Sequence, residues 1–340
     1  MPRVAGCDPG TSSLDLIALE DDGRVSAQDR IEPDELRADP TLPVQWLREH
    51  GPFDLVAGPS GYGLPLVRAA DCTDAQLHLM SLVRPDERGS ASGVGGFTAM
   101  LRALRDSGLP VVFLPGVVHL PTVPAHRKLN KIDMGTADKL CVAALALWQH
   151  DHDRPAAVVE FGSAFTAILV LKDRQVVDGL GGTAASIGGM SGGAWDGEAA
   201  YLLSPLSKGD LFRGGVRDVP DRETARAAFR ESFAKAISGL LNVHGFQDVY
   251  YGGTLFRTDP DLTQQALGDL PSSFFRLHYA GDIPGAWVKH AAQGAALIAN
   301  GLAGGELKQL VEWMRLREAA GTALDYLTHP RAAEVRNWFA

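Results

Sequence analysis

Two stretches of this 340-residue chain carry residue types that can grip a phosphate. Residues 4–13 read as a short apolar strand that runs out at Asp8 into a turn of Gly10, Thr11, Ser12 and Ser13. A second strand follows, to Leu19. Gly10 lets backbone come close. The three hydroxyl residues offer side-chain oxygens and consecutive N–H groups, the makings of a concave anion nest. An Asp at the mouth of such a nest can hold Mg²⁺ through water. A plain hairpin turn uses the same residue types, and that reading stays open. The pattern recurs, because residues 156–171 lie over 4–19 without a gap. Asp8 falls on Glu160, Gly10 on Gly162 and Thr11 on Ser163, and Thr166 opens the following strand. Two such units in two halves predict a duplicated domain with both loops facing one nucleotide.

The segment 124–139 is the most polar in the chain. It holds His126, Arg127, Asp133 and Asp138, and three of the eight lysines, at 128, 131 and 139. Cationic clamps stabilise phosphoryl transfer, so Lys128 or Arg127 is expected to neutralise the transferred group. A hydroxyl acceptor needs a base, for which Asp133 and Asp138 are the candidates. A carboxylate acceptor is already ionised, and His126 and Arg127 would then position it. A helix over 137–149 would add its N-terminal dipole. The competing reading is a solvated basic loop with Thr136 as helix cap. Four further Gly-rich loops stand out. Gly61 and Tyr62 follow the strand at 53–57, a common ligand position in α/β folds. Gly252, Gly253 and Thr254 follow the strand at 248–251. The loops at 179–183 and 188–193 fit neither a P-loop nor a dinucleotide fingerprint. Asp196 and Glu198 read either as cleft acids or as helix-start carboxylates.

The elements that must carry these residues alternate. Three strands over 3–29 are followed by a helix at 41–50, a strand at 53–57 and helices at 73–83 and 97–107. A Gly- and Ser-rich loop at 84–96 separates those two helices, and a strand at 111–114 closes the half. This order predicts an α/β layered domain. The second half repeats it, with helices at 221–241, 286–300 and 306–326 and a terminal helix in the last ten residues. The length suits two domains, and 45% apolar residues can fill two cores. The net charge of −9 argues against a nucleic-acid partner bound through a basic surface. Cys7, Cys72 and Cys141 show no metal or disulfide spacing, which predicts a reducing, cytoplasmic setting. No leader pattern opens the chain and no apolar run is long enough to span a bilayer, so no membrane partner is expected.

With these motifs in order, the chain resembles the actin, Hsp70 and sugar/acetate kinase superfamily. More narrowly it is similar to a group described as predicted butyrate kinases. The residues that carry the likeness are Asp8-Pro9-Gly10-Thr11, the run 128–139, Glu160–Ala167, Asp178–Thr183 and Gly193–Glu198. The resemblance implies two duplicated ribonuclease-H-like α/β domains, 1–134 and 135–340, with the nucleotide in the cleft between them. The last helix is then expected to pack back on the first domain. The resemblance implies ATP and Mg²⁺ as cofactors and transfer of phosphate to a small acceptor. It assigns Asp8 and Glu160 to the metal, Gly10, Thr11, Ser12, Ser13, Gly162, Ser163 and Thr166 to phosphates, and Gly252, Gly253 and Thr254 to adenosine. Gly61, Tyr62, His126, Arg127, Asp196 and Glu198 are its acceptor-side candidates. Glu160 departs from the superfamily's usual Asp, a longer arm on the metal. Two rival readings share the fold: a nucleotide-driven switch, and a non-catalytic ligand-binding protein. The sequence leaves monomer and homodimer both open.

Overall fold

The computed structural model of the protein describes residues 2–89, 95–150 and 154–340. Each half opens as the repeat predicts. β1 (Val4–Pro9), β2 (Leu14–Leu19) and β3 (Val25–Ile31) form an antiparallel meander, with Val4 opposite Leu19 and Asp8 opposite Asp15. After α1 (Pro33–Ala38) and α2 (Leu42–His50), β4 (Leu55–Gly58) joins β1 in parallel. The short β5 (Val67–Arg68), α3 (Asp74–Ser81) and α4 (Gly95–Arg105) lead to β6 (Val111–Phe113), which lies parallel to β4. The loop expected at 84–96 contains a 3₁₀ turn at Pro85–Glu87, and its residues 90–94 lie outside the described ones. α5 (Ala125–Lys128) and α6 (Ala137–Gln149) connect to the second half.

There β7 (Ala156–Phe161), β8 (Thr166–Lys172) and β9 (Gln175–Leu180) repeat the meander. α7 (Gly197–Leu203) and α8 (Arg222–His244) precede β10 (Asp248–Gly252), parallel to β7. α9 (Thr254–Thr258) and α10 (Pro260–Gly268) precede β11 (Arg276–Tyr279), parallel to β10. α11 (His290–Leu302), α12 (Lys308–Trp313) and α13 (Ala332–Asn337) complete the chain. The sheets run β3-β2-β1-β4-β6-β5 and β11-β10-β7-β8-β9. Each is mixed, and each follows the ribonuclease-H-like order in which the third, second, first, fourth and fifth strands lie side by side. The first sheet adds β5 antiparallel at its edge.

Three apolar clusters account for the layers. One lies on the outer face of the first sheet, around Leu47, Leu77, Met80, Leu101 and Phe113. One lies on the outer face of the second, around Phe161, Phe229, Phe233 and Phe246. The largest fills the space between the sheets and is built on α6 and α11. These two helices are exchanged. α6 follows the first half's strands and packs on β7 and β8, whereas α11 follows the second half's and packs on β1, β2 and β4. Small residues make this possible. A Cβ on Gly294 would lie 1.8 Å from the Cys141 carbonyl oxygen, and one on Gly6 would lie 2.2 Å from that of Ala292. Every residue from His290 to Gly301 is buried. The single helix expected over 306–326 is instead broken after α12. Arg315 adopts a left-handed φ of 52° and Gly321 one of 77°, and neither conformation continues a helix. The C-terminal residues rest on the first half, with the Arg88 guanidinium donating to the Trp338 carbonyl at 2.5 Å. Among the described residues no helix is long and apolar enough to cross a membrane.

Candidate active site

The two repeated loops fold alike. In the first, the Gly10 N–H donates to the Ser13 carbonyl at 2.8 Å. In the second, the Gly162 N–H donates to the Phe165 carbonyl at 2.9 Å, the equivalent pair. Both loops line one cavity of about 590 Å³, within the range of small-molecule sites. It takes in Asp8, Gly10, Thr11, Ser12 and Ser13 from one side and Glu160, Gly162 and Ser163 from the other. Asp133, Asp138, Gly61, Tyr62 and Thr254 also reach it.

At its floor three carboxylates meet two lysines. Lys139 Nζ stands 2.5 Å from Asp138 Oδ2 and 2.5 Å from Glu160 Oε2. Lys289 Nζ lies 3.5 Å from Asp15 Oδ1 and 3.8 Å from Asp8 Oδ2, and donates to the Ser13 carbonyl at 2.6 Å. Buried Asp15 holds Lys289 in place by accepting its backbone N–H at 2.9 Å, and is itself gripped by Arg30 and Ser13. Asp8 Oδ1 is buried and finds no donor among the described residues. Burial pushes the Asp8 carboxyl up to about 7, and the charges of Asp138 and Glu160 add to that against Lys289 and Lys139. Burial also pushes Asp138 upward, but Lys139 beside it and the Thr136 hydroxyl outweigh this and hold it below the usual carboxylate range. Burial disfavours the Lys139 ammonium, yet its two carboxylates keep it firmly protonated. Among the described residues no three His, Cys, Asp or Glu side chains converge closely enough to ligate a metal directly.

Also lining the cavity, Lys208 lies over the Tyr62 ring, its Nζ 4.5 Å from the centroid and 3.1 Å from the hydroxyl. Asp133 is a clasp. Its carboxylate accepts from the Gly135 N–H at 3.2 Å and from the Thr183 N–H and hydroxyl at 3.0 Å each, tying the 124–139 segment to the loop after β9. Thr136 stands at the start of α6, but its hydroxyl goes to the Asp138 carboxylate and not to the helix backbone.

Several expected site residues stand elsewhere. Lys128 is buried away from the cavity, where its ammonium donates to the Leu120 carbonyl at 2.8 Å and lies over the Tyr326 ring. Arg127 donates to the Val177 carbonyl at 2.8 Å and faces Asp178 at 3.6 Å, and His126 is exposed on the same short helix. Asp196 caps α7 by accepting the Glu198 and Ala199 N–H groups, and both acids face solvent. Thr166 is buried in β8 and does not line the cavity. Gly252 and Gly253 sit just behind Thr254. At Gly253, φ is 113° and a Cβ would meet the Phe161 backbone at 2.4 Å, so only glycine fits there. The cavity's own lysines are 139, 208 and 289. Lys139 belongs to the charged segment, but Lys208 and Lys289 stand alone in sequence, without a local motif. Their one signal is that Lys139 and Lys289 are spaced almost as the two loops are.

No curated protein matches the chain. Among solved structures, a propionate kinase from Francisella tularensis subsp. tularensis SCHU S4 matches at a TM-score of 0.57 and 11% identity, over 87% of this chain and 98% of that one. Acetate kinase from Entamoeba histolytica matches at 0.56 and 11%, over 78% and 86%. Acetate kinase from Porphyromonas gingivalis matches at 0.54 and 13%, over 87% and 98%. At such identities the likeness establishes the fold, the two-domain actin-like fold of these kinases. The family described as a protein of unknown function, DUF1464, matches residues 6–329. The chain therefore belongs to the DUF1464 family and carries it on an actin-like kinase fold.

Proposed function

We propose that the protein is an ATP-dependent phosphotransferase whose acceptor is a small carboxylate. The observation that carries this reading is the pair of repeated acid–Gly–hydroxyl loops lining one cavity, each with a lysine at its acid. The residues present suit Mg²⁺. Carboxylate oxygens are the hard donors it takes, and it keeps several waters when bound. Asp8 Oδ1, buried without a donor, is the natural first contact, with Glu160 across the cavity. Bound Mg²⁺ would shield phosphate charge. Lys139 and Lys289 would supply fixed positive charge beside the same loops, and the loop N–H groups would orient the phosphate oxygens.

The choice of carboxylate over alcohol rests on the two acids proposed as bases. Asp133 spends its carboxylate on Gly135 and Thr183, and Asp138 on Thr136 and Lys139. A carboxylate acceptor needs neither. One of its oxygens forms the new bond to the γ-phosphorus as the bond to the bridging oxygen breaks, giving an acyl phosphate and ADP with no proton to remove. The propionate and acetate kinases of like fold are consistent with this class. The three cysteines are buried and unpaired, which supports a reducing compartment such as the cytoplasm.

Two measurements test the reading. Mg-ATP at about a hundred times its dissociation constant should stabilise the protein by roughly 2.7 kcal/mol. ADP release should then depend on an added short-chain carboxylate. Steady ADP release without any acceptor would instead mark a nucleotide-driven switch, and absence of Mg-ATP binding would sink both.

A further inference from the structure

Lys208 is a lysine of unusual circumstance. It comes from the second half, five residues beyond the end of α7, but its contacts are with the first half. Its backbone N–H donates to Glu87 Oε2 at 2.8 Å and its ammonium to the Tyr62 hydroxyl at 3.1 Å. An ammonium has three donors. Among the described residues only the Tyr62 hydroxyl is bonded to this one, and no carboxylate stands within ion-pair distance. The other two cavity lysines are fully engaged with acids or backbone. Nearby charge is already committed. Glu87 is paired with Arg84, and Asp133 is spent on Gly135 and Thr183. Burial pushes the ammonium down to about 8, outweighing the opposing charges of Asp133 and Glu87, neither of which reaches ion-pair distance. The two arginines of the cavity are different, because both are exposed and Arg37 is paired with Asp34.

The Tyr62 turn that holds this cation packs on an aromatic ring. Gly61 has a φ of 51°, and a Cβ there would lie 3.1 Å from the Phe97 ring and 2.3 Å from the Met80 carbonyl oxygen, so Phe97 and Met80 close up against the Tyr62 turn. Both line the cavity with Lys208. An unneutralised cation in a cavity lined also by Phe97 and Met80 is complementary to a short acid with a hydrocarbon tail.

We infer that Lys208, held on the face of Tyr62, seats the acceptor's carboxylate and thereby selects a monocarboxylate with a short apolar tail. The inference rests on the phosphotransferase reading above for the role of that anion, though not for its binding. Because Lys208 spans from one half to the other, acceptor recognition is complete only when the two halves are together. Lys208 acts by charge and position, and the phosphate loops do the transfer.

The test uses the full chain and Lys208→Gln and Lys208→Arg variants, with propionate, butyrate and the neutral butyramide as probes. Calorimetry reads binding, and ADP release reads KM and kcat. Lys208→Gln should weaken butyrate about 10- to 100-fold, the range for one lost charge-assisted hydrogen bond. Butyramide affinity and the Mg-ATP dissociation constant should stay within about twofold, and Lys208→Arg should restore much of the butyrate affinity, as a retained charge would. Equal butyrate binding in wild type and Lys208→Gln would overturn the inference, as would weakened Mg-ATP with butyrate unchanged, which would place Lys208 on phosphate. Failure of wild type to bind any of the acids would overturn it too. Failure to bind Mg-ATP would defeat the phosphotransferase reading alone, because calorimetry with butyrate still judges Lys208.

Discussion

Lys139 offers the sharpest quantitative test of the cavity floor. Its ammonium is 2.5 Å from carboxylate oxygens of both Asp138 and Glu160, and its side chain is 13% exposed. Lys139→Met keeps the apolar stem and removes the charge. Two buried carboxylates then lose their shared partner, and Asp8 loses one of its two compensating lysines. At an effective dielectric of about 20, unit charges about 4 Å apart interact by about 4 kcal/mol. Two such attractions are lost, while the cost of burying the ammonium is recovered, several kcal/mol per ion. The balance should fall at about 3–5 kcal/mol, the usual loss when one partner of a buried pair is removed. Urea denaturation at pH 7.5 without divalent metal reads this directly. A second arm adds Mg²⁺, which should stabilise the variant more than the wild type, because its acid cluster has gained net negative charge. A third arm adds Glu160→Gln. The double variant should be closer to wild type than the two single losses together, since the second change removes a charge the first left unpaired. A loss below about 1 kcal/mol, with no greater response to Mg²⁺ and additive single variants, would refute the reasoning. Lys139 would then not be holding the acids together.

Other expectations follow from single contacts. Lys128→Met takes the ammonium from the Leu120 carbonyl, which keeps only the longer bond from the Val123 N–H at 3.3 Å. It should cost about 1–3 kcal/mol in urea denaturation with acceptor KM and kcat within about threefold, and a hundredfold loss of kcat would return Lys128 to the chemistry. Gly294→Ala places a Cβ 1.8 Å from the Cys141 carbonyl oxygen, against backbone that cannot swing aside. Denaturation should show a loss of at least the roughly 1–3 kcal/mol typical of overpacking, and a neutral result would mean that α6 and α11 are not in close contact. Lys208 sets a pH dependence. Burial depresses it to about 8 from the usual 10.5, while Asp133 and Glu87 nearby oppose the shift and Tyr62 stays protonated, its own value raised by burial. Between those two pH values the unfolded chain binds more protons than the folded one, so this group makes stability rise with pH across the window. The rise should be smaller in Lys208→Gln, and identical profiles would show that the ammonium is not desolvated.

Much of this site was legible because its information is local. The loops at Asp8 and Glu160 are set by a few adjacent residue types, and duplication preserved their spacing, so the second copy certified the first. α6 announces itself by an unbroken run of apolar and small residues from Leu140 to Trp148. The cationic cluster at 126–128 misled for a physical reason. Charge density in sequence does not fix direction, and in the single turn of α5 the three side chains diverge, one to solvent, one to β9 and one inward to Leu120. Asp196 shows the same limit, since an acid before a short helix is as useful to the helix's own N–H groups as to a ligand. The break at Arg315 had no marker, because a left-handed arginine is fixed by its surroundings and not by its type.

Lys139 and Lys289 explain why the rest was not legible, and what the duplication accomplishes. Each repeated loop opens on an acid, so folding two copies face to face brings like charges together, an arrangement that opposes closure of the cleft. The compensating charges cannot come from the loops, which are full of small hydroxyl residues. They come from the helices that each half sends to the other. α6 leaves the first half and carries Lys139 to Glu160 of the second, and α11 leaves the second half with Lys289 just before it, against Asp8 and Ser13 of the first. The Ala and Gly faces that let these helices cross set how far each lysine reaches, so the packing of Gly6 and Gly294 and the charge balance of the cavity are one design. Widening the helix contact should therefore act at the site. In Gly294→Ala that still folds, Mg-ATP affinity should fall although position 294 does not line the cavity. Calorimetry that finds normal Mg-ATP binding in a measurably destabilised Gly294→Ala would separate the two and show that the lysines are placed by their loops alone.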